Sequence, residues 1–210
     1  MLKKQAIKLG HLGTIQISKN KNNAHVTMLN WNPFEYDGLV YDLSHLHPQV
    51  VRYTQPAKGG MPERYYDVQV IYSLHCFTCS YKPEERLVDD ALAYSDSRET
   101  RRFDFHRYEC SKHLPSIVRA LPTSVCQHTK HGTFFTVKLL NPKTAIEENY
   151  EIYFRASRSG SKPPMVNLFV QSAYIRDTAH RQNQPSRKKV NFFVILHNTL
   201  VQKTLKPAPQ

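Results

Sequence analysis

Apolar and polar residues alternate along two stretches of the first thirty positions. Thr14-Ile15-Gln16-Ile17-Ser18 and Ala24–Leu29 flank the polar run Lys19–Asn23, which predicts a β-hairpin with every second side chain facing a core. Trp31-Asn32-Pro33-Phe34 then breaks the pattern. A second strand pair is predicted at Gln49–Gln55 and Tyr65–Leu74, joined by Pro56-Ala57-Lys58-Gly59-Gly60-Met61-Pro62, where Gly and Pro supply the turn. Asp67-Val68-Gln69-Val70-Ile71-Tyr72 is β-branched and aromatic without a helical stripe, and is the clearest strand of this half.

The charged, uneven stretch from Tyr81 to Arg102 suits a surface connection, and after it the period changes. Phe103, Cys110 and Leu114, with Ile117, Val118 and Leu121 beyond, predict the buried side of a helix over about 101–113, capped by Thr100. Pro115 interrupts it, so the expected form is a kink or a second short helix with Pro115 in its first turn. Past Pro122 the pattern is all strand: Thr133–Leu140, Tyr150–Arg155, Met165–Arg176 and Val190–Leu196. The expected fold class is therefore α+β, with N-terminal β-hairpins, a central kinked helix and then a four-stranded antiparallel sheet. The expected division is a β-rich subdomain at 1–64, an α+β core at 65–200 carrying a basic C-terminal sheet, and a tail at 201–210.

Composition narrows the class. Of 210 residues 40 % are hydrophobic and 11 % aromatic, too many for a disordered basic tail. No apolar run approaches the roughly 18 residues of a membrane span, and the first residues lack the apolar stretch of a secretory signal. These features predict a cytoplasmic protein without a membrane partner, in which four Cys stay reduced.

Charge then points to a partner. Lys and Arg number 29 against 17 Asp and Glu, a formal +12. From residue 152 onward Asp177 is the sole acid, beside Arg155, Arg158, Lys162, Arg176, Arg181, Arg187, Lys188, Lys189, Lys203 and Lys206. A segment so poor in acids lacks local salt-bridge partners and favours a polyanion, most simply RNA or single-stranded nucleic acid. Arg158, Lys162, Arg181, Arg187, Lys188 and Lys189 are the expected phosphate contacts. Tyr153, Phe154, Phe169, Tyr174, Phe192 and Phe193 lie among these bases, where an exposed ring could stack an unpaired base.

No G-x-S-x-G, Walker loop, G-x-G-x-x-G or H-E-x-x-H is present, which disfavours the enzymes built on them. RNA carries its own nucleophile, the 2′-hydroxyl, so a base, an acid and cations around the phosphate suffice for cleavage without a cofactor. Glu151 or His197 as base, His197 or Tyr174 as acid, and Arg155 and Arg176 as clamps would make such a site. The order of a helix followed by antiparallel strands over roughly 101–200 resembles the small barnase-like and RelE-type ribonuclease toxins. That resemblance rests on element order and implies no particular catalytic residue. The leading expectation is thus a basic RNA-binding protein acting as a metal-independent ribonuclease of toxin or defence type, for which a neutralising protein partner is conceivable.

Two alternatives remain open. All four Cys and five of the 11 His lie between His75 and His131. Cys76-x-x-Cys79 followed by Cys110-x-x-His113 has zinc-ligand spacing, and would stiffen a non-catalytic nucleic-acid-binding module. Against it, no Gly follows Cys79 to ease a metal knuckle, and Cys76 and Cys110 would serve equally as small buried hydrophobes. The weaker alternative is an interaction factor whose basic face meets an acidic protein.

Overall fold

The computed structural model describes residues 30–81, 91–129, 133–139, 149–175 and 188–206. The hairpin expected at 14–29 lies outside them. The first described strands, β1 (Phe34–Tyr36) and β2 (Leu39–Tyr41), form a tight hairpin. Asp37 and Gly38 both take positive φ at its tip, +50° and +72°, the backbone that a two-residue turn needs to match strand twist. β3 (Gln49–Gln55) and β4 (Arg64–Tyr72) pair antiparallel, with Tyr53 opposite Tyr66 and Val51 opposite Val68. The expected division at 64/65 would therefore fall at the start of β4, within this hairpin.

β5 (Thr78–Cys79), β6 (Ala93–Ser95) and β7 (Thr100–Phe103) make a small sheet in the order β5-β7-β6. Thr100 is thus a strand residue rather than a cap. The first helix, α1 (Phe105–Ser111), starts five residues later, where the Asp104 side chain accepts from the Arg107 amide at 3.0 Å. α2 (Leu114–Arg119) follows at once with Pro115 in its first turn, so the expected bend is present.

β8 (Cys126–His128), β9 (Phe134–Leu139), β10 (Asn149–Arg158), β11 (Val166–Ile175) and β12 (Lys188–Val190) complete a sheet of seven strands, in the order β12-β8-β9-β10-β11-β4-β3. β9, β10 and β11 are the antiparallel meander the pattern predicted. Two details differ. β11 also pairs in parallel with β4, Val166 beside Val68 and Val170 beside Tyr72, which fuses both halves of the chain into one sheet. The expected last strand, Val190–Leu196, is instead mostly helix α3 (Phe192–Leu200). Asn191 caps it by accepting from the Phe193 amide at 2.9 Å, and Phe192, Ile195 and Leu196 are its buried side. A five-residue apolar run fits a buried strand or a buried helix equally, and here the cap and the core decided.

Register divides the sheet into two faces. One carries Tyr53, Tyr66, Val68, Val70, Ile152, Phe154, Leu168 and Val170, all buried, and α2 and α3 pack on it. The Tyr53 hydroxyl donates to the Val118 carbonyl at 2.8 Å, and its ring meets Phe192 edge-on at 5.0 Å. The other face carries Arg52, Asp67, Asn167, Phe169, Arg155, Tyr153, Glu151 and Tyr174. Among the described residues no helix is long and apolar enough to cross a membrane.

Candidate functional site

The second face acquires its cleft from a defect in β11. Between Phe154, which pairs with Val170, and Tyr153, which pairs with Ser172, β11 holds one extra residue, Gln171. Such a bulge shifts the phase of every later side chain. Before it Phe169 faces the second side; after it Ser172 and Tyr174 do, while Ala173 returns to the core. Phe169, Ser172 and Tyr174 are thereby brought onto one surface, with Gln171 beside them.

The wall of the cleft comes from the end of β4. Ser73 continues the parallel ladder through its amide to the Val170 carbonyl at 3.0 Å, and its hydroxyl donates to the Gln171 carbonyl at 2.5 Å. The same hydroxyl accepts from the His75 amide at 3.1 Å and so caps a 3₁₀ turn, Leu74–Cys76. Leu74 and Cys76 point into the core, leaving His75 at the cleft.

Opposite stands the turn joining β6 to β7. Asp96 shapes it: its buried carboxylate accepts from the Arg98 and Glu99 amides at 2.8 and 3.0 Å and pairs with the Arg98 guanidinium at 3.0 Å. Burial pushes the Asp96 carboxyl up, but those bonds outweigh it and hold the group below its ordinary pKa. Glu99 then meets His75 Nε2 at 2.7 Å through one oxygen and Arg101 at 3.3 Å through the other. The hydrogen bond from His75, followed by the pull of Arg101, keeps Glu99 below its ordinary value. Arg101 is itself fixed by donating to the Thr78 hydroxyl at 2.9 Å.

The remaining side is aromatic. Tyr153 and Tyr174 stack at 5.7 Å with planes 10° apart, and Arg107 lies 5.5 Å from the Tyr174 ring centre. Arg107 also donates to the carbonyls of His75 and Thr78, tying α1 to the wall. The Tyr153 hydroxyl donates to Glu151 at 2.6 Å; burial first, and then that bond, push its pKa well up, so the phenol stays protonated. The cleft these residues enclose holds about 430 Å³, lined by Ser73, His75, Arg98, Glu99, Tyr153, Phe169, Gln171, Ser172 and Tyr174. It joins hydrogen-bonding groups of fixed direction to a ring surface, the make-up of a small-molecule site.

Of the residues expected to form a catalytic cluster, Glu151 and Tyr174 are cross-strand neighbours on this face. Arg155 is exposed farther along β10, opposite Phe169. His197 does not join them. It lies on α3, behind the other face, with Nδ1 3.5 Å from the Arg64 guanidinium. Arg176, Arg181 and Arg187 lie outside the described residues. Arg158, Lys162, Lys188 and Lys189 are exposed, the last two on edge strand β12.

The expected zinc ligands are likewise dispersed among different elements. Cys76 is fully buried with Sγ 3.8 Å from the Val170 carbonyl, Cys79 is in β5, Cys110 lies in α1 near His106, and His113 precedes α2. Among the described residues no three His, Cys, Asp or Glu are grouped so as to hold a metal ion. Sequence reasoning missed Arg98, Glu99 and Gln171. The signal for the first two was Asp96-Ser97-Arg98-Glu99, in which an Asp can fold the chain back on its own amides.

A family model described as the YjaZ family matches residues 33–200, which include every residue lining the cleft. The chain is 34 % identical over 181 residues to the protein YjaZ of Escherichia coli strain K12, an alignment covering 85 % of this chain and 95 % of that protein. No solved structure matches significantly. The family match overturns the expected RNA-binding and ribonuclease function, because this family is not an RNA-binding or ribonuclease toxin type. The nucleic-acid-binding alternative falls with it. Net charge describes a long-range field, which many unrelated functions share.

Proposed function

The chain belongs to the YjaZ family, and we propose that it is a binding protein for a small polar ligand taken into the cleft on the second sheet face. One observation carries this reading. Four separate segments, at residues 73–75, 98–99, 153 and 169–174, converge on one cleft and present polar groups already held in place. Stability does not require that investment, since a pair as exposed as His75 and Glu99 contributes little to folding. Orientation of a ligand does require it, because groups fixed beforehand lose less freedom on binding. A cytoplasmic location belongs to this reading; no disulfide joins the four cysteines, as expected of a reducing compartment.

The test is a screen of small polar fragments against the full chain by saturation-transfer NMR. Fragments that bind wild type should lose their signal with His75→Ala and with Tyr153→Ala, and keep it with Lys188→Ser, whose side chain lies away from the cleft. Circular dichroism confirms that each variant is folded. A screen without hits, or hits indifferent to both cleft variants, would overturn the reading.

A further inference from the structure

Resting on the cleft as a ligand site, we infer that its ligand is a neutral, hydroxyl-rich molecule of sugar size rather than an anion. The charges at the cleft are closed among themselves. Arg98 pairs with Asp96, Glu99 is shared by His75 and Arg101, and Arg107 faces Asp104 at 3.8 Å. An incoming carboxylate or phosphate would have to compete with acids already seated on these cations, and would gain little from the exchange. A neutral ligand needs no such exchange.

What the cleft leaves unused has the complementary chemistry. The Ser172 hydroxyl and the Gln171 side-chain amide carry no hydrogen bond among the described residues. Each group can donate and accept at once, as sugar hydroxyls do. The bulge in β11 is what places them side by side. Phe169 is half-buried beside them and makes no ring contact among the described residues, so one of its faces can receive the C–H face of a pyranose. At the mouth the Glu99 carboxylate is 38 % exposed, and each of its oxygens keeps a lone pair that can accept from a hydroxyl. The volume of about 430 Å³ lies near the lower end of small-molecule sites, which suits a mono- or disaccharide.

The experiment titrates glucose, galactose, mannose, maltose and cellobiose into the full chain, in parallel with glucuronate and citrate, and follows displacement of a cleft-bound fragment by NMR. At least one neutral sugar should displace the fragment, with glucuronate and citrate weaker by about tenfold or more. Gln171→Ala and Ser172→Ala should each weaken that sugar by roughly 2- to 12-fold, the range of one lost neutral hydrogen bond. Phe169→Ala should weaken it by at least as much. The inference is overturned if fragments occupy the cleft but no neutral sugar displaces them, if either anion binds more tightly, or if sugar affinity ignores all three substitutions. Absence of any cleft-dependent fragment is a different result, and it removes the ligand site itself.

Discussion

Neighbouring residues of one strand meet opposite environments in this protein. On β10, Tyr150, Ile152 and Phe154 enter a packed apolar layer under α3, whereas Glu151, Tyr153 and Arg155 face the cleft side. The backbone ladder is shared, so the contrast isolates the side chains. The first set gains from leaving water and has little need of direction. In the second set Tyr153 donates to Glu151 at 2.6 Å and stacks on Tyr174, so direction matters there. One face accordingly stabilises the molecule and the other is available for recognition.

The strongest test of that contrast uses two phenylalanines on adjacent strands. Phe154→Ala on the covered face should destabilise by about 3–5 kcal/mol, from lost transfer energy plus a cavity. Phe169→Ala on the cleft face should cost less, since its ring is only partly buried. Urea midpoints measure both. Equal losses would mean that the second face is as structural as the first.

A smaller effect is expected at the cover itself. Asn191→Ala removes the α3 cap and should cost about 0.5–2 kcal/mol, with Asn191→Ser restoring most of it. If the cost is absent, α3 is held by Phe192, Ile195 and Leu196 alone.

The covered face also contains a polar exception. The Tyr150 hydroxyl is buried without a hydrogen-bond partner among the described residues, and burial raises its pKa well above the ordinary value. Tyr150→Phe should therefore be neutral or stabilising by up to about 1 kcal/mol, opposite in sign to other changes in that layer. A marked destabilisation would reveal a bound water at the phenol.

The least change in stability is expected at the cleft. Glu99 has a lowered pKa, so its contribution is present above the ordinary value of 4.5 and fades as pH falls below it. Its side chain is 38 % exposed, which limits that contribution to under about 1 kcal/mol. Glu99→Gln should flatten the fall in urea midpoint below about pH 4.5 and lower neutral-pH stability by the same small amount, under about 1 kcal/mol. The same substitution should weaken ligand binding in the cleft, and a large stability loss with intact binding would reverse the assigned roles.

Strands with a strong local signal were legible in the chain. β3 begins and ends where alternation and Gly-Pro punctuation put it, and β4, β9, β10 and β11 fall within a few residues of their expected limits. Pro115 marked the bend between the two helices correctly. Less legible were the places where two structures share one local pattern. Val190–Leu196 reads as a strand by composition, yet Asn191 caps a helix there. Asp37-Gly38 carries the dipeptide of a tight hairpin, but its strands are only three residues long and show no periodicity.

The sequence by itself determined the α+β class, three strands of the meander and, outside the bulged β11, which residues of each strand share a face, because these follow from short-range periodicity and turn chemistry. Tertiary structure alone decided which elements meet. The parallel joining of β11 to β4 links residues about a hundred positions apart, and no local pattern encodes a pairing across that distance. The bulge at Gln171 is a one-residue change of phase, visible only once β10 and β11 lie side by side. Those two events brought His75 to Ser172 and Tyr174, while the folding of Phe192–Leu200 as a helix put His197 on the opposite side. Hydrogen-bond direction and burial belong to residues assembled in space, which is why the cleft could be read only from the fold.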